Sequence, residues 1–152
     1  EIGYNYRLSN LLAAVGRAQF QKLNSFIKKK RNIFSIYYNN LLFEGISFLD
    51  EFPNSRMNRW LTTIIINHKK LGVNSTEIMI ALEKENIESR PLWKPMHLQP
   101  LFKDAIFISK DKSDVSSDLF KNGICLPSGS NLSEKDQMRI IDIITSLIKN
   151  QS

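Results

Sequence analysis

Cysteine and histidine are nearly absent from this sequence: one cysteine, Cys125, and two histidines, His68 and His97, among 152 residues. A single cysteine excludes an internal disulfide, and so few soft ligands leave no basis for a structural zinc site or any other metal centre. No apolar run approaches the roughly 18–20 residues that a membrane span needs, and no charged, apolar, then small-residue leader opens the chain. The sequence therefore reads as a cytoplasmic chain without a membrane partner. It also lacks a Gly-rich phosphate loop, a paired-carboxylate motif and any Ser/His/Asp order assignable from spacing. What remains, 42% hydrophobic and 24% charged residues, is enough for one compact domain with its own core.

Lys and Arg number 21 against 15 Asp and Glu, a formal charge of +6, which favours an anionic partner without naming it. The densest cluster, Lys28-Lys29-Lys30-Arg31, would spread over nearly all faces of a helix and has no interleaved aromatics, so it reads as a solvated helix surface. A basic nucleic-acid-binding module would rest on that charge alone.

Helical periodicity runs from Leu8 to Phe43 through Leu12, Val15, Gln19, Leu23, Phe26, Ile33 and Tyr37. Asn24 and Ser25, both good N-caps, divide it into helices over about 9–23 and 25–43. The first carries Ala13, Ala14, Gly16 and Ala18, small side chains that admit a close neighbour, either this chain's own core or another subunit. After Gly45 the β-branched and aromatic runs 46–49 and 60–66 read as strands. Asn74 with Glu77 forms a capping box for a short helix ending near Asn86, and 87–92 reads as a third strand. Residues 93–112 form a loop with short helical turns, followed by a helix over 115–122, a short extended piece over 123–127 and a turn at 128–130. Ser133 with Asp136 caps a final helix whose stripe is Ile140, Ile141, Ile144, Leu147 and Ile148. Helices gathered against a small, mainly antiparallel sheet make an α+β domain.

Two polar clusters stand outside the apolar pattern. In Gly3-Tyr4-Asn5-Tyr6-Arg7-Leu8-Ser9-Asn10 a loop enters a helix N-terminus, where backbone donors, an amide and a guanidinium suit a phosphate dianion. The same residues also suit a tyrosine-rich packing loop. In Glu88-Ser89-Arg90-Pro91-Leu92-Trp93-Lys94-Pro95-Met96-His97, Arg90, Lys94 and His97 could hold an anion while Trp93 stacks on a planar ring. An ordinary loop with a half-buried tryptophan is the alternative.

The segment Glu1–Asn10 with Ala13-Ala14, then Arg90–His97, then Cys125-Leu126-Pro127-Ser128-Gly129 resembles the C-terminal third of the DegT/DnrJ/EryC1/StrS family. These are pyridoxal-phosphate-dependent nucleotide-sugar aminotransferases of the aspartate-aminotransferase fold, fold type I. The combination of Ser55, Asn58-Arg59-Trp60-Leu61, Arg90-Pro91-Leu92-Trp93-Lys94 and Gly123–Gly129 most resembles the bacillosamine and legionaminic-acid branch. That branch transfers an amino group from glutamate to C4 of a UDP-4-keto-6-deoxy-N-acetylhexosamine.

The resemblance implies roles for individual residues. Asn5 would donate to the phosphate of pyridoxal phosphate (PLP) in the neighbouring subunit of a homodimer, with Arg7 as the adjacent cation. Arg90, Trp93, Lys94 and His97 become candidates for diphosphate or sugar contacts. The family's catalytic lysine lies in a larger domain, and no lysine here stands in that context. Residues 1–152 thus read as a single small domain with a dimer-spanning loop, a fragment with no catalytic residue of its own and inactive alone. A family member acting as a sugar dehydratase, with histidine in place of that lysine, is the competing reading within the fold.

Overall fold

The computed structural model describes residues 8–110 and 113–150. Its elements run α1 (Asn10–Gln21), α2 (Leu23–Asn40), β1 (Ile46–Phe48), β2 (Thr62–Ile66), α3 (His68–Leu71), α4 (Ser75–Lys84), β3 (Arg90–Pro91), α5 (Val115–Asn122), β4 (Gly123–Leu126) and α6 (Glu134–Lys149). Two short 3-10 turns, Met96–Leu98 and Pro100–Phe102, occupy the loop before α5.

The strands form one sheet in the order β1-β2-β4-β3, antiparallel throughout. Along β2, burial alternates: Thr62, Ile64 and Ile66 are buried while Thr63 and Ile65 are half-buried. That period of two directs Ile64 and Ile66, with Ile124 and Leu126 of β4, into one core against Ile33 and Tyr37 of α2, Ile78 and Leu82 of α4, and the isoleucine stripe of α6. The expected α+β architecture is present, and among the described residues no helix is long and apolar enough to cross a membrane.

Three buried polar contacts join these layers. The Tyr37 hydroxyl donates to the Pro127 carbonyl at 3.0 Å, Gln137 Nε2 to the Ile33 carbonyl at 2.7 Å, and Ser75 Oγ to the Lys121 carbonyl at 2.6 Å. Each pairs a side-chain donor that packing has removed from water with a backbone carbonyl of a different element.

The first helices divide differently from expectation. The break falls at Lys22, where the backbone leaves helical geometry for one residue and no side chain caps α2. Asn24 and Ser25 are inside α2 rather than at its boundary, because the helix resumes before their capping oxygens are needed. No residue of α1 is buried, and Leu11, Leu12, Val15 and Phe20 are all exposed. Of the two packing roles open to the small-residue face, the described residues supply no core contact for it.

Both flanking strands are shorter than their apolar runs. At the start of β2, Arg59 adopts φ 53° and the Trp60 amide donates to Asn58 Oδ1 at 3.0 Å, which turns the backbone away from the ladder until Thr62. Of the expected 87–92 only Arg90–Pro91 pairs as β3, with the Leu92 amide adding one bond to the Gly123 carbonyl. The turn α3 went unread in the sequence; it closes on Gly72 at φ 72°.

The Lys28–Arg31 cluster is only half a solvated surface. Lys28 and Lys29 are exposed, but Lys30 Nζ donates to the carbonyls of Trp60 and Ser128. Arg31 pairs with Glu51 and donates to the Met57 carbonyl at 2.6 Å. Four consecutive positions on a helix span all its faces, so two of them meet the sheet's loops.

Candidate functional site

Antiparallel pairing of β4 with both β2 and β3 assembles a cleft at one end of the sheet. The cleft measures about 640 Å³, and Leu61, Arg90, Trp93, Cys125, Pro127 and Ser128 contribute to its lining. Its floor is rigid: Ser128 Oγ accepts from the Thr62 amide at 2.9 Å and donates to the Leu126 carbonyl at 2.8 Å. Lys30 binds the carbonyls of both Trp60 and Ser128, tying the start of β2 to the turn after β4. Burial lowers the Lys30 pKa, since two carbonyls carry no compensating charge. Burial likewise raises the Cys125 thiol above its ordinary value.

At the rim, the rings of Trp60 and Trp93 lie 6.1 Å apart, tilted by 35°, and each is 63% exposed. Exposing two tryptophans side by side leaves a large apolar area in water, which marks a surface that meets a ligand or another part of the protein. Trp60 is braced from behind. The buried Arg59 guanidinium sits 3.7 Å above the Phe34 ring and donates to the Leu49 carbonyl at 2.6 Å, so the left-handed backbone at Arg59 is held by its own side chain.

The structure separates the predicted site residues into three groups. Arg90 and Trp93 line the cleft together; Arg90 is exposed and its Nε donates to Glu88 Oε1 at 2.7 Å. Lys94 is exposed on the same loop. His97 turns toward α5 instead: its ring stacks on Phe107 at 3.9 Å, and Nε2 lies 2.8 Å from Asp114 Oδ2 and 3.1 Å from Ser117 Oγ. Asn5 and Arg7 lie outside the described residues.

The His97, Asp114 and Ser117 trio is not a nucleophile relay. Such a relay needs the acid and the hydroxyl on opposite ring nitrogens, and here both meet Nε2. A carboxylate only accepts, so Nε2 carries the hydrogen and a neutral ring leaves Nδ1 as an acceptor. Hydrogen bonds from Ser117, with further ones from His97 and Ser116, hold the Asp114 carboxyl well below the usual carboxylate range.

Trp60, Lys30, Ser128, Asp114 and Ser117 were not among the site residues expected from sequence. Asp114 had a readable signal, a capping aspartate three residues before Ser117. Trp60 stood in the Asn58-Arg59-Trp60-Leu61 motif without a role assigned to it, and Lys30 had no signal, because its role depends on which loops the sheet brings beneath α2.

Known proteins share this chain's sequence pattern and fold. EpsN of Bacillus subtilis (strain 168) is 49% identical over 149 residues, covering 97% of this chain and 38% of EpsN. The GDP-perosamine synthase of Vibrio cholerae is 34% identical over 140 residues, covering 92% of this chain and 37% of that protein. The chain thus spans under two-fifths of the length of these relatives. The solved structure of PseC from Helicobacter pylori, an aminotransferase of pseudaminic acid biosynthesis, superposes with a TM-score of 0.82 at 20% identity, covering 99% of this chain and 40% of that one. An aminotransferase of Brucella abortus superposes with a TM-score of 0.80 at 26% identity, covering 95% and 37%. The architecture is therefore that of a part of a fold type I aminotransferase, and with residues 1–145 matching its family model, the chain belongs to the DegT/DnrJ/EryC1/StrS aminotransferase family.

Proposed function

We propose that the chain is the small domain of a PLP-dependent nucleotide-sugar aminotransferase acting in surface-glycan synthesis. The enzyme moves an amino group from glutamate to C4 of a UDP-4-keto-6-deoxy-N-acetylhexosamine and works as a cytoplasmic homodimer. The family match over residues 1–145 carries the reading, and the name of EpsN, describing a pyridoxal phosphate-dependent aminotransferase, supports it. The exposed Trp60 and Trp93 beside Arg90 offer what a nucleotide sugar needs, a planar apolar platform next to a cation.

The family resemblance gives Asn5 and Arg7 as the residues that would hold the phosphate of PLP, and an amide beside a guanidinium is chemically suited to it. When bound, this cofactor supplies the electron sink that lets an amino group pass from a donor to a ketone. This chain's own part is recognition: Arg90 and Lys94 supply positive charge for a diphosphate, Trp93 stacks, and His97 offers Nδ1. The residue that bonds the cofactor covalently is assigned to the remainder of the enzyme.

The deciding assay offers the enzyme containing this chain three nucleotide ketosugars, carrying UDP, GDP or dTDP, with glutamate as donor. Amino-sugar formation from the UDP substrate alone is the outcome that upholds the full reading. Formation from the GDP substrate would favour the second reading, which the GDP-perosamine synthase relatives motivate. Dehydration without amine transfer would favour a dehydratase of the same family. Separately, Asn5→Ala should weaken PLP retention; unchanged cofactor affinity refutes the role given to Asn5.

A further inference from the structure

The loop carrying Trp93 and Lys94 is pinned at both ends. At its start the Leu92 amide donates to the Gly123 carbonyl at 3.3 Å, and a Cβ at position 123 would fall 2.2 Å from Leu92 Cδ1. Only glycine lets Leu92 approach so closely. At its far end His97 Nε2 meets Asp114 and Ser117, with the ring flat against Phe107. Both pins belong to one continuous piece, since α5 runs directly into β4.

Asp114 does more than cap α5. The cap needs only Oδ1, which accepts from the Ser117 amide at 3.0 Å and from the Ser116 hydroxyl at 3.0 Å. Oδ2 accepts from the Ser117 hydroxyl of α5 and also from His97, on the loop after β3. With the acceptors of both oxygens engaged, the carboxylate has one orientation, and His97 cannot swing away without disturbing that network. The His97 side chain is 18% exposed, so water does not readily replace these partners.

We propose that Asp114 and Ser117 are positioning residues for the nucleotide-sugar site: through His97 they fix the loop that presents Trp93 and Lys94. The proposal rests on the nucleotide-sugar reading above. A loop ordered before the ligand arrives spares the ordering cost at binding. Contacts to the remote nucleotide act alike on bound substrate and transition state, so losing the order raises KM and leaves kcat nearly unchanged.

Asp114→Asn separates the two roles of this residue. Asparagine caps a helix about as well as aspartate, but its Nδ2 would face the Nε2 hydrogen of His97, and a shift of that hydrogen to Nδ1 would restore only a neutral bond in place of the one to a carboxylate. Ser117→Ala removes the second contact while keeping the backbone amide that the cap uses. In the enzyme containing this chain, each variant should raise the KM for the nucleotide sugar about tenfold and leave kcat and the glutamate half-reaction within about twofold. Without substrate, amide hydrogen exchange across 92–102 should speed up about tenfold in Asp114→Asn, while exchange in α6 stays unchanged.

Unchanged exchange in the loop overturns the proposal, as does equal acceleration in α6, which would mean loss of global stability. A looser loop with an unchanged sugar KM also overturns it. If the wild-type enzyme aminates no nucleotide sugar, the functional reading fails, and the exchange result alone then decides whether Asp114 holds the loop.

Discussion

Trp60 and Trp93 stand ring against ring, centroids 6.1 Å apart, although one precedes β2 and the other follows β3. Strand β4 makes the pairing possible, because it lies between β2 and β3 and sets the register of both.

Replacing either tryptophan with alanine should test their shared role. Because both rings are largely exposed, each change should cost less than about 1.5 kcal/mol of stability, the upper range of one aromatic pair. The KM for the nucleotide sugar should rise about tenfold, measured by steady-state kinetics in the complete enzyme. An unaltered KM in both variants would remove the tryptophans from the substrate site.

Tyr37→Phe should destabilise the domain by about 1–2 kcal/mol, since the Pro127 carbonyl loses its donor at a fully buried site. Burial raises the Tyr37 phenol above its ordinary pKa. A folded-state pKa raised above the unfolded one gives stability that is whole below about pH 10 and declines as pH rises through the folded value. Urea titrations should show that alkaline decline in the wild type and a smaller one in Tyr37→Phe.

Gly123→Ala and Gly16→Ala should act in opposite directions on the isolated chain. A methyl at 123 would meet Leu92 Cδ1 at 2.2 Å and the Leu119 carbonyl at 2.6 Å; the second is backbone and cannot step aside, so about 1–3 kcal/mol is lost. Nothing lies within 4 Å of a methyl at 16, so the helix should gain up to about 1 kcal/mol. If another part of the enzyme packs against α1, the gain at 16 should vanish or reverse in the complete protein, as thermal melts of both forms would show.

Glu51 links Arg31 to the approach to β2, accepting from Arg31 and from the Met57 amide at 3.0 Å. The Arg31 hydrogen bond holds its carboxyl below the ordinary value. A depressed folded pKa contributes stability above the unfolded pKa and loses it as pH falls through the folded value. Glu51→Gln should therefore lower the urea midpoint at neutral pH and leave it nearly unchanged below the carboxylate range.

Much of the architecture was legible from residue order. The isoleucine stripe of α6, the Asn74 and Glu77 capping box and the β-branched runs each act through near neighbours, and all appear where their periodicity put them. Strand lengths were less legible, because the left-handed backbone at Arg59 delays pairing until Thr62 for reasons of geometry rather than hydropathy, and β3 pairs only over Arg90–Pro91. The candidate cleft was half legible: Arg90 and Trp93 announced themselves by residue type, whereas Trp60 became a partner only once the sheet order was known.

The sequence by itself determined most of the helices, the core-facing positions of α2, α4 and α6, and the family, since periodicity and motif are properties of neighbouring residues. Tertiary structure alone decided that Lys30 braces the cleft rather than facing water, and that His97 reaches α5 through Asp114. It also decided that α1 keeps its apolar face uncovered by the described residues of this chain. Those outcomes depend on which distant segments antiparallel pairing brings side by side, and local sequence holds no record of that.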